Sequence, residues 1–291
     1  MSFSKVIVGT MRLGSWGAAF SSSDYERFID ECLDLGLNDF DHADIYGGYT
    51  TEEEFGRVIK KRPDLKSRIR LTTKCSIMMP VDGRNSYPLK YYDSSAKHIK
   101  DSVDRSLQNL GVDQIEYLLL HRPDYWLDAE EVSETVNALK SAGKVIRFGV
   151  SNYTRSQMSY LQSKIELDVN QMEISVNHPD AFEDGCLDYC KEKSIAITAW
   201  SPLGGGKIFE PNPDKRTKRI KKQVKKLAKK YDCQEDQILI SWLSTHPAGI
   251  GPVLVTSKIK RIKSALKATA IKMERTDWYA LLEASLGHEV A

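Results

Sequence analysis

The chain has 291 residues, of which 41% are hydrophobic and 28% charged, with 42 basic against 40 acidic side chains. That length suits one α/β barrel of about 250 residues or two smaller domains. The net charge of +2 selects for no charged partner, and no apolar run approaches the ~20 residues of a membrane-spanning helix.

Met1-Ser2-Phe3-Ser4-Lys5 leads directly into strand-like sequence, so no secretory signal peptide is expected. Residues 6–9 read as a buried strand. Residues 24–35 follow with helical spacing of Phe28, Ile29, Cys32, Leu33 and Leu35, Ser23 as N-cap and Gly36 just past the end. The next strand–helix pair is 38–41 and 52–61, ending before Pro63. A strand at 69–74 and a helix at 95–109, stopped by Gly111, come next.

The alternation continues through strand 115–120, helix 129–141 stopped by Gly143, strand 145–150 and helix 154–163. Strand 168–172, helix 183–192 and strand 195–199 lead to a Gly/Pro-rich loop at 201–213. Helices at 215–230 and 235–244, a strand at 253–255 and helices near 259–267 and 275–286 finish the chain. Eight strands, each followed by a helix, imply a parallel sheet covered on both faces. Eight units in about 250 residues match a closed barrel better than an open sheet. With no linker or composition shift, residues 1–291 are expected to form a single (β/α)8 TIM barrel of the α/β class, with an extra C-terminal helix.

Polar side chains sit at nearly every strand end, where such barrels place their chemistry. The second strand ends at Asp41, with Tyr46 five residues on. Lys74 ends the third and His121 follows the fourth. Ser151 and Asn152, then Gln171, then Trp200 and Ser201, close the fifth to seventh; Thr256, Ser257, Lys258 and Arg261 follow the eighth. Asp41, Tyr46, Lys74 and His121 make chemical sense together. A tyrosine with its usual pKa of about 10 is a sluggish acid near neutrality, and a neighbouring ammonium lowers that value. Lys74 supplies the ammonium, Asp41 holds it as a charge-assisted pair, and His121 is able to donate to a substrate oxygen. The outcome is a proton donor aimed at one oxygen atom, suited to carbonyl reduction.

On these residues the chain resembles the aldo-keto reductases, which carry Asp, Tyr, Lys and His in this strand order. The matching segments are Asp41-His42-Ala43-Asp44-Ile45-Tyr46-Gly47, Leu118-Leu119-Leu120-His121-Arg122-Pro123-Asp124, Gly149-Val150-Ser151-Asn152-Tyr153 and Asn170-Gln171-Met172-Glu173. The loop 199–206, Ala199-Trp200-Ser201-Pro202-Leu203-Gly204-Gly205-Gly206, looks like that of a bacterial YdhF-type oxidoreductase subgroup. The likeness runs from Gly9 to about Leu286.

The resemblance implies a nicotinamide dinucleotide, usually NADPH (NADP+ when oxidised), held across the barrel mouth without a Rossmann domain. It implies Ser151, Asn152 and Gln171 on the carboxamide, with Asp41 beside the nicotinamide and Trp200 stacked on its ring. Ser201, Leu203 and Gly204 would line the pyrophosphate, and Gly9, Thr10 and Met11 the ribose. Lys258 and Arg261, next to Thr256 and Ser257, would grip the adenosine 2′-phosphate; Ser264 and Ala265 depart from the family pattern at the adenine. The partner implied is a small carbonyl substrate, with no nucleic acid, membrane or metal, and a monomer or weak homodimer is expected.

Asp41 and Lys74 alone are as easily a structural ion pair. A metal-dependent hydrolase would use Asp41, His42, Asp44 and His121, but Lys74 would repel the ion. A non-catalytic regulator sharing the fold and binding NADPH is the third possibility. Ten basic residues between Lys215 and Lys230 form a charge run, which with Ile220, Val224, Leu227 and Tyr231 at helical spacing reads as a solvated outer face. Cys186 and Cys190, four apart on a helix, read as small buried thiols, and the five cysteines without a CxxC pair suit a reduced, cytoplasmic protein. Trp16, Met78, Met79, Tyr87 and Trp126 are the candidates for lining the substrate pocket.

Overall fold

A computed structural model of the chain describes residues 3–83, 85 and 87–291. Met1 and Ser2, part of the segment read as free of a signal peptide, lie outside the described residues, as do Arg84 and Ser86. Among the described residues ten strands follow in chain order: β1 (Ile7–Gly9), β2 (Asp39–Asp41), β3 (Arg70–Cys75), β4 (Ile77–Met78), β5 (Tyr91–Tyr92), β6 (Ile115–Leu120), β7 (Val145–Ser151), β8 (Val169–Glu173), β9 (Ala196–Trp200) and β10 (Gly251–Val255). Eight of them close into a barrel in the order β1-β10-β9-β8-β7-β6-β3-β2, the expected (β/α)8 TIM barrel. The strands are buried almost end to end, as a parallel sheet covered by helices demands, and β6 is nearly all apolar. β4 and β5 form a separate antiparallel hairpin that hydropathy did not foretell, because two-residue strands carry no periodicity.

The chain divides into two compact units. One holds Ile7–Asn170 with Val255–Ile259. Its parallel registers pair Gly9 with Asp41, Asp41 with Thr72, and Lys74 with Leu119, so the polar strand ends arrive at neighbouring levels. Its helices are capped from the sequence. Asp128 accepts the N–H groups of Glu130 and Glu131, Thr154 forms a capping box with Gln157, and Gly111 ends the 96–110 helix with φ of 70°. The first helix, Ser22–Asp34, is capped by Ser21 rather than the expected Ser23. Asp24 closes a capping box back onto Ser21, and that reciprocal pair decides among three adjacent serines. Gly56 lets two helices touch, since a Cβ there would meet the Asn109 carbonyl oxygen at 1.9 Å.

The other unit holds Gln171–Leu254, Lys260–Ala291 and the N-terminal residues through Val6. Its helix Cys186–Glu192 starts three residues later than the expected 183, because Gly185 sits left-handed (φ 78°) behind a short 3-10 turn at Asp180–Phe182. Cys186 and Cys190 are both buried, as expected. The basic helix Lys215–Lys230 buries Ile220, Val224 and Leu227 and exposes most of its lysines. Tyr231, expected on the buried stripe, is only half-buried, its hydroxyl bonded to Asp277 at 2.6 Å. The extra C-terminal helix, Arg275–Leu286, is tied to the basic helix by Arg216 to Ser285 (2.9 Å), Arg219 to the Ala284 carbonyl (3.2 Å) and Lys230 to Asp277 (2.7 Å). Trp242 and Trp278 stack at 4.9 Å and each indole N–H donates to the other's carbonyl, which satisfies the donor of the buried Trp242 and that of its partner. Among the described residues no helix is long and apolar enough to cross a membrane.

Candidate active site

The segment after β2 is pinned to β3 by backbone bonds, His42 N–H to Thr72 O (2.8 Å) and Asp44 N–H to Lys74 O (3.0 Å). It then turns sharply, with Gly47 and Gly48 left-handed at φ of 64° and 67°. At 47 only glycine fits, because a Cβ would come within 2.5 Å of Thr51 Oγ1 and 2.6 Å of Thr50 Oγ1. The turn leaves Tyr46 buried beside Lys74.

Lys74 is 1% exposed, and its ammonium is fully partnered. Nζ lies 2.8 and 2.7 Å from the two Asp41 carboxylate oxygens, 2.8 Å from the His42 carbonyl and 3.3 Å from the Tyr46 hydroxyl. An ammonium has three protons and accepts nothing. The Tyr46 oxygen is therefore an acceptor from Lys74, and the phenol's own proton is free for a different partner. Burial works against the charge on Lys74, but Asp41 and Tyr46 outweigh it and hold the ammonium above its usual pKa.

Tyr46 behaves differently from the sequence expectation. Lys74 does pull its pKa down, but burial pushes harder the other way, and the phenol lies above the usual tyrosine value. Tyr46 is thus protonated at neutral pH, the state a proton donor needs. The His121 ring meets the Tyr46 ring edge-on, 6.0 Å between centroids. Burial first, then the charges of Lys74, Arg122 and Lys90, keep His121 neutral, well below the usual histidine range. Its Nδ1 is buried without a hydrogen-bond partner among the described residues.

His42 and Thr10 brace this arrangement. The Thr10 hydroxyl donates to the Asp41 carbonyl (2.9 Å), so its contact with His42 Nδ1 (3.0 Å) must run from an Nδ1–H. The ring packs edge-on against Phe55 at 4.6 Å, and burial lowers its pKa to about 3. Asp41 is bound to Lys74 and His42 Nδ1 to Thr10, so two of the four groups that a metal-dependent hydrolase would use are otherwise engaged.

A model of the aldo/keto reductase family matches residues 5–285. The chain belongs to this family. Oxidoreductase YcsN of Bacillus subtilis is 40% identical, over 100% of this chain and 97% of its own length. A 6-dehydroglucose reductase of Agrobacterium fabrum is 38% identical, over 100% and 97%. Oxidoreductase YdhF of Escherichia coli is 36% identical, over 99% and 95%, which supports the YdhF-type subgroup. Among solved structures, a thermostable aldo-keto reductase crystallised with the inhibitor epalrestat has the same fold, with a TM-score of 0.80 at 22% identity over 97% of this chain and 95% of that one. The chain is accordingly an oxidoreductase.

The expected quartet lies in one unit, together with Gly9, Thr10, Met11, Ser151, Asn152, Thr256, Ser257 and Lys258. Asn152 Nδ2 donates to Ser151 Oγ (2.8 Å), and the Lys258 N–H donates to Thr256 Oγ1 (3.2 Å). Thr10 is fully buried with its N–H and hydroxyl both on the Asp41 carbonyl, so it is a brace between strands, and half-buried Met11 is the more open of that pair. Gln171, Trp200, Ser201, Leu203, Gly204 and Arg261 belong to the other unit. Gln171 is buried on β8, Trp200 ends β9 half-buried, and Arg261 is exposed in the Ile259–Ala268 helix. Gly204 is left-handed (φ 59°) and a Cβ there would meet Asn177 Oδ1 at 2.7 Å.

Asn152 (φ 59°) and Ser201 (φ 49°), each directly past a strand end, hold the left-handed conformation that non-glycine residues avoid. Such strain concentrates at functional sites. Within the first unit, the amide and hydroxyl groups at 151–152 suit the carboxamide of a nicotinamide.

Of the expected pocket-lining residues, Trp16 packs 6.4 Å from the Tyr46 ring, Met79 joins the same cluster and Met78 is buried. Tyr87 pairs edge-on with Tyr91 at 5.9 Å. Trp126 is 95% exposed, its backbone N–H held by Asp124 (2.9 Å) and its indole in solvent. Sequence reasoning missed Tyr49, Tyr92 and the buried Glu52, which accepts from Thr73 (2.5 Å) and Ser106 (3.1 Å). Only the Gly47-Gly48 pair hinted that the residue after it is held in a special turn.

Proposed function

We propose that this aldo/keto reductase is an NADPH-dependent carbonyl reductase, acting as a single barrel domain over residues 1–291, and that it turns an aldehyde or ketone into an alcohol. The observation that carries this reading is the buried Lys74 ammonium, in reach of both Asp41 oxygens and of the Tyr46 hydroxyl. The bound nucleotide supplies the hydride. Tyr46 gives its free proton to the oxygen of the carbonyl as negative charge grows there. Lys74 stabilises the phenolate that remains, Asp41 fixes Lys74, and neutral His121 orients the carbonyl by a hydrogen bond. Proton transfer from a placed side chain contributes about 10²–10⁴-fold.

Ser151, Asn152 and Gln171 would hold the carboxamide, Trp200 the ring, Ser201, Leu203 and Gly204 the pyrophosphate, and Lys258 and Arg261 the 2′-phosphate. Gly9, Thr10 and Met11 would lie beside the ribose, and Thr256 and Ser257 beside Lys258. Two cations in this role favour NADPH over NADH. Five reduced cysteines suit a cytoplasmic enzyme, working as a monomer or weak homodimer. A sugar-derived carbonyl is the substrate to try first, because the Agrobacterium fabrum relative is named a 6-dehydroglucose reductase.

The test is NADPH consumption with a panel of aldehydes, ketones and oxidised sugars, beside quenching of tryptophan fluorescence by NADPH. Tyr46→Phe should lower kcat by about 10²-fold or more and leave the NADPH titration unchanged. Full activity in that variant would overturn the assignment of Tyr46.

A further inference from the structure

The left-handed run after Tyr46 does not stop at the glycines. Tyr49 follows with φ of 70°, a conformation unfavourable for a bulky residue, so something must hold it there. Its hydroxyl accepts the Met79 N–H at 2.9 Å and lies 3.3 Å from both the Ile77 and the Met79 carbonyl oxygens, its one proton shared between them. Asn85 completes the fastening. Its Nδ2 donates to Met79 O (3.0 Å) and its Oδ1 accepts the Val81 N–H (3.2 Å). Met79 is therefore tied by both backbone groups, and one side chain joins it to the turn that carries Tyr46.

Met79 is also part of the surface around the proton donor. With Met11, Trp16, Tyr49 and Tyr92 it packs on the cluster of Ala43, Ile45, Tyr46 and Ile77. On the carbonyl-reductase reading, this wall is the apolar surface beside Tyr46 that a larger carbon skeleton would meet. A methionine side chain is adaptable, so its usefulness as a wall depends on how firmly its backbone is held. The burial of Tyr49 keeps its phenol protonated, with a pKa pushed up to about 12, so the fastening stays intact across ordinary assay conditions.

We propose that Tyr49 is a positioning residue that locks the Met79 wall to the turn carrying Tyr46, and so sets the enzyme's discrimination between large and small carbonyl substrates. The inference rests on the carbonyl-reductase reading, and its test separates the two. Benzaldehyde and propanal are compared at saturating NADPH, with the ratio of their kcat/KM values as the readout. In Tyr49→Phe the ring stays and the hydroxyl goes. The ratio should fall on the order of tenfold, the scale on which an apolar pocket discriminates, mainly through a higher KM for benzaldehyde. Met79→Ala, which removes the wall and leaves Tyr49 in place, should shift the ratio the same way and decides the matter if Tyr49→Phe fails to fold. An equal loss on both aldehydes in Tyr49→Phe would mark Tyr49 as structural only and overturn the proposal, as would an unchanged ratio in both variants. If the wild-type enzyme oxidises NADPH with neither aldehyde nor any other carbonyl, the carbonyl-reductase reading itself fails.

Discussion

Lys74→Met is the most informative single change to the site. The side chains of Lys74 and Asp41 are 1% and 3% exposed, so removing the ammonium strands a carboxylate in the interior. Breaking a buried pair from one side costs about 3–5 kcal/mol, because the remaining charge keeps its desolvation penalty and loses its partner. At about 2–3 °C per kcal/mol for a chain of this size, Tm should fall by roughly 6–15 °C. Adding Asp41→Asn removes the stranded charge and should recover most of that loss. It should not recover turnover, since nothing then stabilises the Tyr46 phenolate. Lys74 has a raised folded pKa, so its contribution is complete below the ordinary lysine value of about 10.4 and fades only as pH rises through the higher folded value. The deficit of Lys74→Met should hence be the same from about pH 6 to pH 9. The assays are thermal unfolding by circular dichroism and NADPH consumption on both variants. A single variant as stable as the double, or one that keeps wild-type turnover, would refute the reasoning.

Two further changes probe the brace and the nucleotide. His42 has a folded pKa of about 3, below its unfolded value of about 6.5, so the unfolded chain binds the extra proton first and stability drops as pH falls between those values. The loss is about 1.4 kcal/mol per pH unit from this residue, with buried His121 adding its own share. His42→Asn keeps a donor for Thr10 and should soften the acid limb by about 2 kcal/mol between pH 6.5 and pH 5, measured by urea unfolding; an equally acid-sensitive variant refutes the assignment. Arg261→Ala should weaken NADPH binding by roughly ten- to a hundredfold and leave NADH within twofold, by calorimetric titration. Equal weakening for both nucleotides would place Arg261 elsewhere than at the 2′-phosphate.

Much of the architecture was legible along the chain because its signals are local. Alternating apolar runs and amphipathic stretches marked the eight barrel strands, and Gly111 and Asp128 marked helix ends, since capping depends on a few adjacent residues. The strand ends in turn put Asp41, Tyr46, Lys74 and His121 within one neighbourhood.

What the chain order did not reveal depends on contacts between distant residues. Whether Lys74 or burial governs the Tyr46 proton is a contest of magnitudes, and burial is a property of the packed barrel alone. That the Thr10 hydroxyl holds the Asp41 carbonyl, 31 residues away, is a contact no local pattern announces. Trp126 looked like a pocket residue, and its indole lies in solvent. The sign of φ at Tyr49, and the 30-residue reach from its hydroxyl to Met79, exist only once the strand ends are assembled. Amino-acid sequence by itself determined the barrel and its reactive residues, through patterns repeated every two or 3.6 positions. Tertiary structure decided how those residues are protonated and held, because desolvation and hydrogen-bond partners are set by neighbours in space.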